Sequence, residues 1–74
     1  MPRVISGKQV IKVLSRNFGF VSVSQKGSHV KLKKRLPNRE IMTIVPLHFE
    51  LAQGTLKGIL ELAEVTEKDF FDCL

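Results

Sequence analysis

A single histidine, His29, stands in the segment QKGSHVKLKK between a Gly-Ser pair and a run of lysines. The unperturbed pKa of histidine is about 6.5, so His29 is a candidate acid/base group. Lys31 and Lys33 follow it at intervals of two, and side chains at that spacing lie on one face of a β-strand. The segment therefore predicts an imidazole beside two ammonium groups, which suits proton transfer on a bound anion.

The turn before His29 adds three further candidates for anion binding. Lys26 contributes a positive charge, and the Ser28 hydroxyl and the amides of Gly27 and Ser28 can donate hydrogen bonds. A residue without Cβ also lets the backbone approach a ligand closely, which gives Gly27 a possible role. The candidate anion-binding set is Lys26, Gly27, Ser28, Lys31 and Lys33.

Two other roles for His29 need consideration. His29 and His48 are distant in sequence, the lone Cys73 stands beside the C-terminus, and carboxylates do not cluster. This set matches no zinc or magnesium pattern, so we expect neither a metal nor another cofactor. A solvated histidine next to a turn is the second alternative, and the residues alone leave it open.

The charge of the chain is unevenly distributed. Residues 1–39 hold ten basic residues and no acidic ones, whereas residues 40–74 hold two lysines and all seven acidic residues. This asymmetry favours an anionic polymer such as nucleic acid as a partner, although a solvated basic surface is the alternative. The ten basic residues are Arg3, Lys8, Lys12, Arg16, Lys26, Lys31, Lys33, Lys34, Arg35 and Arg39.

Length and hydropathy predict a single domain over residues 1–74. No apolar run is long enough to span a bilayer, and the N-terminus lacks the apolar core of a signal peptide. One cysteine cannot form an internal disulfide, which fits a reducing compartment. We therefore expect a cytoplasmic protein without a membrane partner, monomeric when free.

Local signals predict the order of the elements. Ser6 and Gln9 match a capping box, which predicts a first helix over about Gly7–Asn17 with Gly19 as its left-handed stop. Valine and serine alternate over residues 21–24, which predicts a half-buried strand. A second strand alternates over residues 29–34, and a third, IMTIV, ends at Pro46.

The C-terminal part predicts two helices. Thr55 is expected to cap the first of them, and Thr66 the second, a short helix from Glu67 to Cys73. The helix that Thr55 is expected to cap presents one apolar face made of Leu56, Ile59, Leu60 and Ala63. Short links between the strands imply an antiparallel meander with the helices on one face. The predicted class is α+β, and the other sheet face carries His29, Lys31 and Lys33.

Three smaller features complete the prediction. Five phenylalanines without tyrosine or tryptophan argue against a base-stacking platform, so we expect these side chains in the core. Lys8, Lys12 and Arg16 recur every four residues on the first helix and form either a phosphate-following ridge or plain solvated surface. His48 follows the third strand, where a capping or packing role is favoured.

The chain resembles the HicA family of bacterial and archaeal toxins in six segments that occur in a fixed order and spacing. The segments are SGKQVIKVL, GF, QKGSH, TIVPLH, GTLKGIL and TEKDFF. These small RNA-cleaving proteins are also called YcfA-like. The resemblance implies a fold like the double-stranded-RNA-binding domain, α-β-β-β-α. It also implies metal-independent cleavage of messenger RNA with the histidine of the GSH turn, His29, as the catalytic group. The usual partner of the family is the antitoxin HicB, which covers the active face.

RNA carries its own nucleophile, the 2′-hydroxyl, so proton transfer and charge stabilisation are sufficient to cleave it. On this hypothesis His29 is the general acid/base, and Lys31 and Lys33 hold the phosphate. A second proton-transfer group is missing, although His48 is a candidate. Two alternatives stay open: a non-catalytic RNA-binding module with the same face, and an interaction subunit whose charge serves an acidic protein.

Overall fold

The computed structural model describes residues 4–74, so the basic residue Arg3 lies outside the described part. A three-stranded antiparallel meander in the order β1-β2-β3 is combined with three helices. The predicted α+β class, like the double-stranded-RNA-binding domain with a short C-terminal helix, is confirmed. No helix within residues 4–74 has the length and apolar character to cross a membrane. The elements are α1 (Gly7–Asn17), β1 (Val21–Lys26), β2 (His29–Arg35), β3 (Glu40–Pro46), α2 (Gln53–Ala63) and α3 (Glu67–Asp72).

The first helix begins and ends at the predicted residues because its signals are local. The Ser6 hydroxyl accepts a hydrogen bond from the Gln9 amide at 3.1 Å, and the Gln9 side chain accepts one from the Ser6 amide at 2.9 Å. The predicted capping box is therefore confirmed. Gly19 follows the helix with φ of +77°, the left-handed conformation expected at this stop.

One face of the sheet packs against the helices. Val30 and Leu32 of β2 are buried, as are Ile41, Thr43 and Val45 of β3. The Thr43 hydroxyl donates to the Ile59 carbonyl at 2.9 Å, so this buried polar group is satisfied and joins the sheet to α2. The apolar face of α2 contributes the predicted residues Leu56, Ile59, Leu60 and Ala63 to the same core.

The prediction that β1 is half buried is wrong. The strand forms, but all six residues are exposed, including Val21 at 62% and Val23 at 48%. Val21 pairs with Lys33 and therefore points away from the helices. Ser22 pairs with the buried Leu32 and is exposed as well. β2 and β3 thus contribute buried residues to the core, whereas no residue of β1 is buried.

The predicted cap of α2 is also wrong. The helix begins at Gln53 with Ala52 as its N-cap, and no side chain caps it, so Thr55 lies inside the first turn. The preceding Leu51 is buried, and its amide donates to the Ile5 carbonyl at 2.8 Å. This long-range bond fixes where the chain enters the helix. The other predicted cap is confirmed, since the Thr66 hydroxyl accepts from the Asp69 amide at 3.1 Å.

Candidate active site on the open sheet face

On the sheet surface turned away from the helices, the odd-numbered residues of β2 occupy the central strand. Directly paired residues of antiparallel strands point to the same side of a sheet. His29 pairs with Lys26 and Pro46, Lys31 with Ser24 and Ile44, and Lys33 with Val21 and Met42. We call this surface, made by Val21, Ser24, Lys26, His29, Lys31, Lys33, Met42 and Ile44, the open face.

A tight turn places His29 as the first residue of β2. Gly27 and Ser28 form the tip of the β1–β2 hairpin, and Gly27 has φ of +60°. A Cβ at Gly27 would meet no atom within 4 Å, so the backbone conformation of the turn accounts for the glycine. The Gln25 side chain donates to the Gly27 carbonyl at 3.0 Å and supports the turn from β1.

The end of the sheet that bears His29 is held by the N-terminus of α1. Leu47 donates from its amide to the Ser28 carbonyl at 2.7 Å, and Gly7 donates to the His48 carbonyl at 2.9 Å. Gly7 is buried, and a Cβ there would lie 2.0 Å from the carbonyl oxygen of Pro46. Pro46 pairs with His29, so the helix start packs directly on the neighbour of the candidate catalytic residue. The sequence prediction missed this role of Gly7.

A shallow depression of about 500 Å³ surrounds His29. It is lined by Ser24, Lys26, His29, Lys31 and Ile44, none of which is acidic. Within residues 4–74, neither Lys26 nor Lys31 forms an ion pair. The depression therefore combines an imidazole with two cations that are available to an anionic ligand.

Lys33 lies outside this depression and has a carboxylate partner. Its Nζ is 3.6 Å from Glu40 Oε1, and Arg35 Nη2 is 3.5 Å from Glu40 Oε2. Exposed ion pairs are worth about 0–1 kcal/mol, so a phosphate can displace Glu40. The sequence prediction overlooked Glu40, although pairing the last residue of β2 with the first residue of β3 would have placed it beside Arg35.

The open face is also more apolar than predicted. Val21, Val23, Met42 and Ile44 all present exposed side chains there or at its edge. Val21 lies there because it pairs with Lys33, and Val23 lies at a bulge between Ser22 and Ser24, so both valines add to this surface instead of the core. A surface that mixes cations with apolar groups fits both a nucleic-acid ligand and a protein partner.

The other predicted residues lie away from the His29 depression or at its border. The imidazole of His48 is exposed, so it does not pack, and the backbone carbonyl of this residue binds α1 instead. Lys8, Lys12 and Arg16 are exposed along α1. Cys73 is half buried near the end of α1, and no group of three metal-ligating side chains exists within the described chain.

One basic residue of the β2–β3 loop is paired with the far end of α2. Arg39 Nη2 lies 2.7 Å from Glu64 Oε1, and Nη1 contacts the second oxygen. The hydrogen bond from Arg39 lowers the pKa of the Glu64 carboxyl, and the bond to Glu64 raises the pKa of Arg39. Glu64 adopts φ of +59° as the C-cap of α2. The pair fixes the loop and removes Arg39 from the free basic surface.

The expectation that the phenylalanines lie in the core is wrong for one of them. Phe20 and Phe70 are buried, and Phe18 and Phe71 pack against the core. Phe49 lies in the bend between β3 and α2 and is 96% exposed. Composition alone could not separate this residue from the others.

Comparison with known families agrees with the order of elements and with the position of the site. A family model for the HicA toxin of bacterial toxin–antitoxin systems matches residues 7–65, from the start of α1 to the residues after α2. The matched region contains the hairpin turn, His29 and the whole sheet. Among proteins with curated descriptions, none matches the chain. The family match covers most of the molecule, and the chain belongs to the HicA toxin family of bacterial toxin–antitoxin systems.

Proposed function

We propose that this protein is the toxin of a toxin–antitoxin pair and a metal-independent endoribonuclease that cleaves messenger RNA, with His29 as general acid/base. The observation that carries the proposal is the depression in which His29 lies with Lys26 and Lys31 on the open face. Family membership supports RNA as the target and an antitoxin as the partner.

The reaction uses the 2′-hydroxyl of RNA as nucleophile. Neutral His29 accepts the hydroxyl proton while the 2′-oxygen attacks the adjacent phosphorus. The O2′–P bond forms, the P–O5′ bond breaks, and the leaving 5′-oxygen takes up a proton. The products are a 2′,3′-cyclic phosphate end and a 5′-hydroxyl end, and no water is consumed in this step.

Lys26 and Lys31 supply the electrostatic part of the proposal. Both side chains line the same depression as His29, and the phosphorane formed during transfer carries more negative charge than the phosphodiester. The Ser28 hydroxyl and the amides of the hairpin tip are further donors for the phosphate oxygens. Lys33 follows Lys31 by two residues on β2 and is assigned to a neighbouring phosphate of the RNA. On binding, its ion pair with Glu40 would be replaced by a contact with that phosphate.

The depression holds one histidine, and this limits the rate. A positioned proton-transfer group is worth about 10²–10⁴-fold, so a site that leaves one transfer to water should turn over slowly. His48 follows Pro46, the partner of His29, by two residues and is the candidate for the second transfer. A toxin needs only to outpace the synthesis of its target messages.

A HicB-like antitoxin is the proposed inhibitor. The open face offers the cations Lys26 and Lys31 together with exposed apolar side chains such as Met42 and Ile44. An acidic partner with apolar anchors complements such a surface. Covering this face would block access of RNA to His29.

The decisive experiment compares purified unmodified protein with His29→Ala on an end-labelled transcript in the presence of a chelator. We expect His29→Ala to lower the cleavage rate by at least about 10²-fold, with RNA binding and the thermal midpoint preserved. His48→Ala is compared in the same assay, and a comparable loss there would assign the second transfer to His48. Unchanged cleavage by His29→Ala would refute the catalytic role.

The same assay separates the alternatives. Binding without cleavage from pH 5 to pH 9 would identify a non-catalytic RNA-binding module. The absence of RNA binding even at low salt would leave an interaction subunit, because phosphate contacts strengthen as salt falls. Lys31→Ala should lower RNA affinity and reduce the salt slope by about 1, whereas Lys57→Ala on α2 should change neither.

A further inference from the structure

Phe49 is the most exposed large apolar side chain within residues 4–74. At 96% exposure its ring gains almost nothing from folding, since hydrophobic stabilisation scales with the apolar area removed from water. The other four phenylalanines are buried or pack against the core. Phe49 therefore needs an explanation other than stability.

The backbone around Phe49 is held on both sides. The Leu47 amide donates to the Ser28 carbonyl at 2.7 Å, and the His48 carbonyl accepts from the Gly7 amide at 2.9 Å. On the other side, the Leu51 amide donates to the Ile5 carbonyl at 2.8 Å. The ring is thus presented by a segment that is tied to the hairpin turn and to the start of α1.

This segment continues β3 at the end of the sheet where His29 lies. His29 pairs with Pro46, and Phe49 follows Pro46 by three residues. Consecutive Cα atoms are 3.80 Å apart, so the Cα atoms of Phe49 and Pro46 are at most about 11 Å apart. This distance corresponds to a few nucleotides of an extended RNA chain.

The neighbouring charges indicate which part of an RNA would meet the ring. Glu50 follows Phe49 and is exposed, so it disfavours a phosphate at this position. An unpaired base carries no charge, and exposed aromatic rings stack on such bases. Lys8 on the first turn of α1 is exposed and is available for a flanking phosphate.

We propose that Phe49 stacks on an unpaired base of the RNA, within a few nucleotides of the phosphate held at His29. The inference rests on the proposed function, because it requires RNA on the open face, and it adds a preference for single-stranded over paired substrate. Phe49 contacts the substrate without taking part in the chemistry.

The first test measures binding of a short single-stranded RNA by fluorescence anisotropy in the cleavage-deficient His29→Ala background. We expect an additional Phe49→Ala substitution to weaken binding about 5- to 100-fold, the range for loss of one base–aromatic stack. Phe49→Tyr should retain affinity, whereas Phe49→Leu should lose most of it. The matched control is Leu62→Ala, an exposed apolar residue of α2, which should have no effect.

The second test locates the base by placing an abasic nucleotide at each position of the RNA in turn. At the stacked position, Phe49→Ala should cost no further affinity, while at other positions its full effect should persist. Uniform effects at all positions would overturn the stacking proposal. So would unchanged RNA binding by Phe49→Ala, including the case in which only binding to the antitoxin is weakened. Absence of RNA binding by both the unmodified protein and His29→Ala would instead bring down the proposed function, and this inference with it.

Discussion

The two faces of the sheet differ in what their apolar residues do. On the covered face, Val30, Leu32 and Val45 are buried against the helices. On the open face, Val21, Met42 and Ile44 are exposed beside His29 and the lysines. Stability therefore depends on one face, and the residues of the other face are not constrained by packing of the core.

The largest expected effect is a difference between the two faces in how much a substitution lowers the stability of the protein. Leu32→Ala removes a fully buried side chain and should lower the free energy of unfolding by about 2–5 kcal/mol. Met42→Ala, on the open face of the next strand, should change it by less than about 0.5 kcal/mol. Urea denaturation measures both, and similar losses would show that the open face also carries the fold.

A smaller effect is expected for the contact between Gly7 and Pro46, at the end of the sheet where His29 lies. Gly7→Ala places a Cβ where the Pro46 carbonyl lies, and we expect a loss of about 1–3 kcal/mol in unfolding free energy. Cleavage should fall more than stability explains, because the partner strand of His29 must move.

Gly58→Ala is the matched control for this glycine. Gly58 lies in α2, and a Cβ there meets no atom within 4 Å. The substitution should stabilise the protein by about 0.5–1 kcal/mol. Equal effects at both glycines would contradict the proposed contact with Pro46.

The smallest effect concerns the ion pair of Arg39 and Glu64. The lowered pKa of Glu64 means that its contribution to stability is present above the unfolded value, about 4.3, and is lost as pH falls through the folded value. The raised pKa of Arg39 matters only at strongly alkaline pH. Glu64→Gln should therefore lower the thermal midpoint slightly at pH 7 and less at pH 3.

Glu61→Gln serves as the control for this pH dependence. Glu61 is exposed on α2 and, within residues 4–74, forms no ion pair. Its substitution should not change the thermal midpoint at either pH. A pH-independent difference between Glu64→Gln and the unmodified protein would show that the backbone at this left-handed position matters more than the charge.

The sequence predicted features whose causes are local. The capping box of Ser6 and Gln9 fixed the start of α1. The alternation in β2 placed His29 on the face of the strand opposite to that of Val30 and Leu32. In β1 a bulge between Ser22 and Ser24 breaks the alternation, and the register places Val21 on the open face, so Val21 and Val23 are exposed and not half buried. Thr55 failed as a cap because distant contacts of Leu51 set the helix start.

The candidate site was predictable to a similar degree. Spacing alone predicted that His29 shares a strand face with Lys31, whereas Lys26 joins the depression through the pairing of β1 with β2. The pairing of Lys33 with Glu40 depends on the register of two strands, and the contact of Gly7 with Pro46 depends on tertiary packing. The exposure of Phe49 depends on a loop that carries no periodic signal.

The meander also bears on how the protein can be prepared. Each strand pairs with its neighbour in the chain, and the first hairpin closes over a two-residue turn. Contacts between residues close in sequence favour rapid folding. After dilution from denaturant, the chain should therefore return rapidly to its folded form.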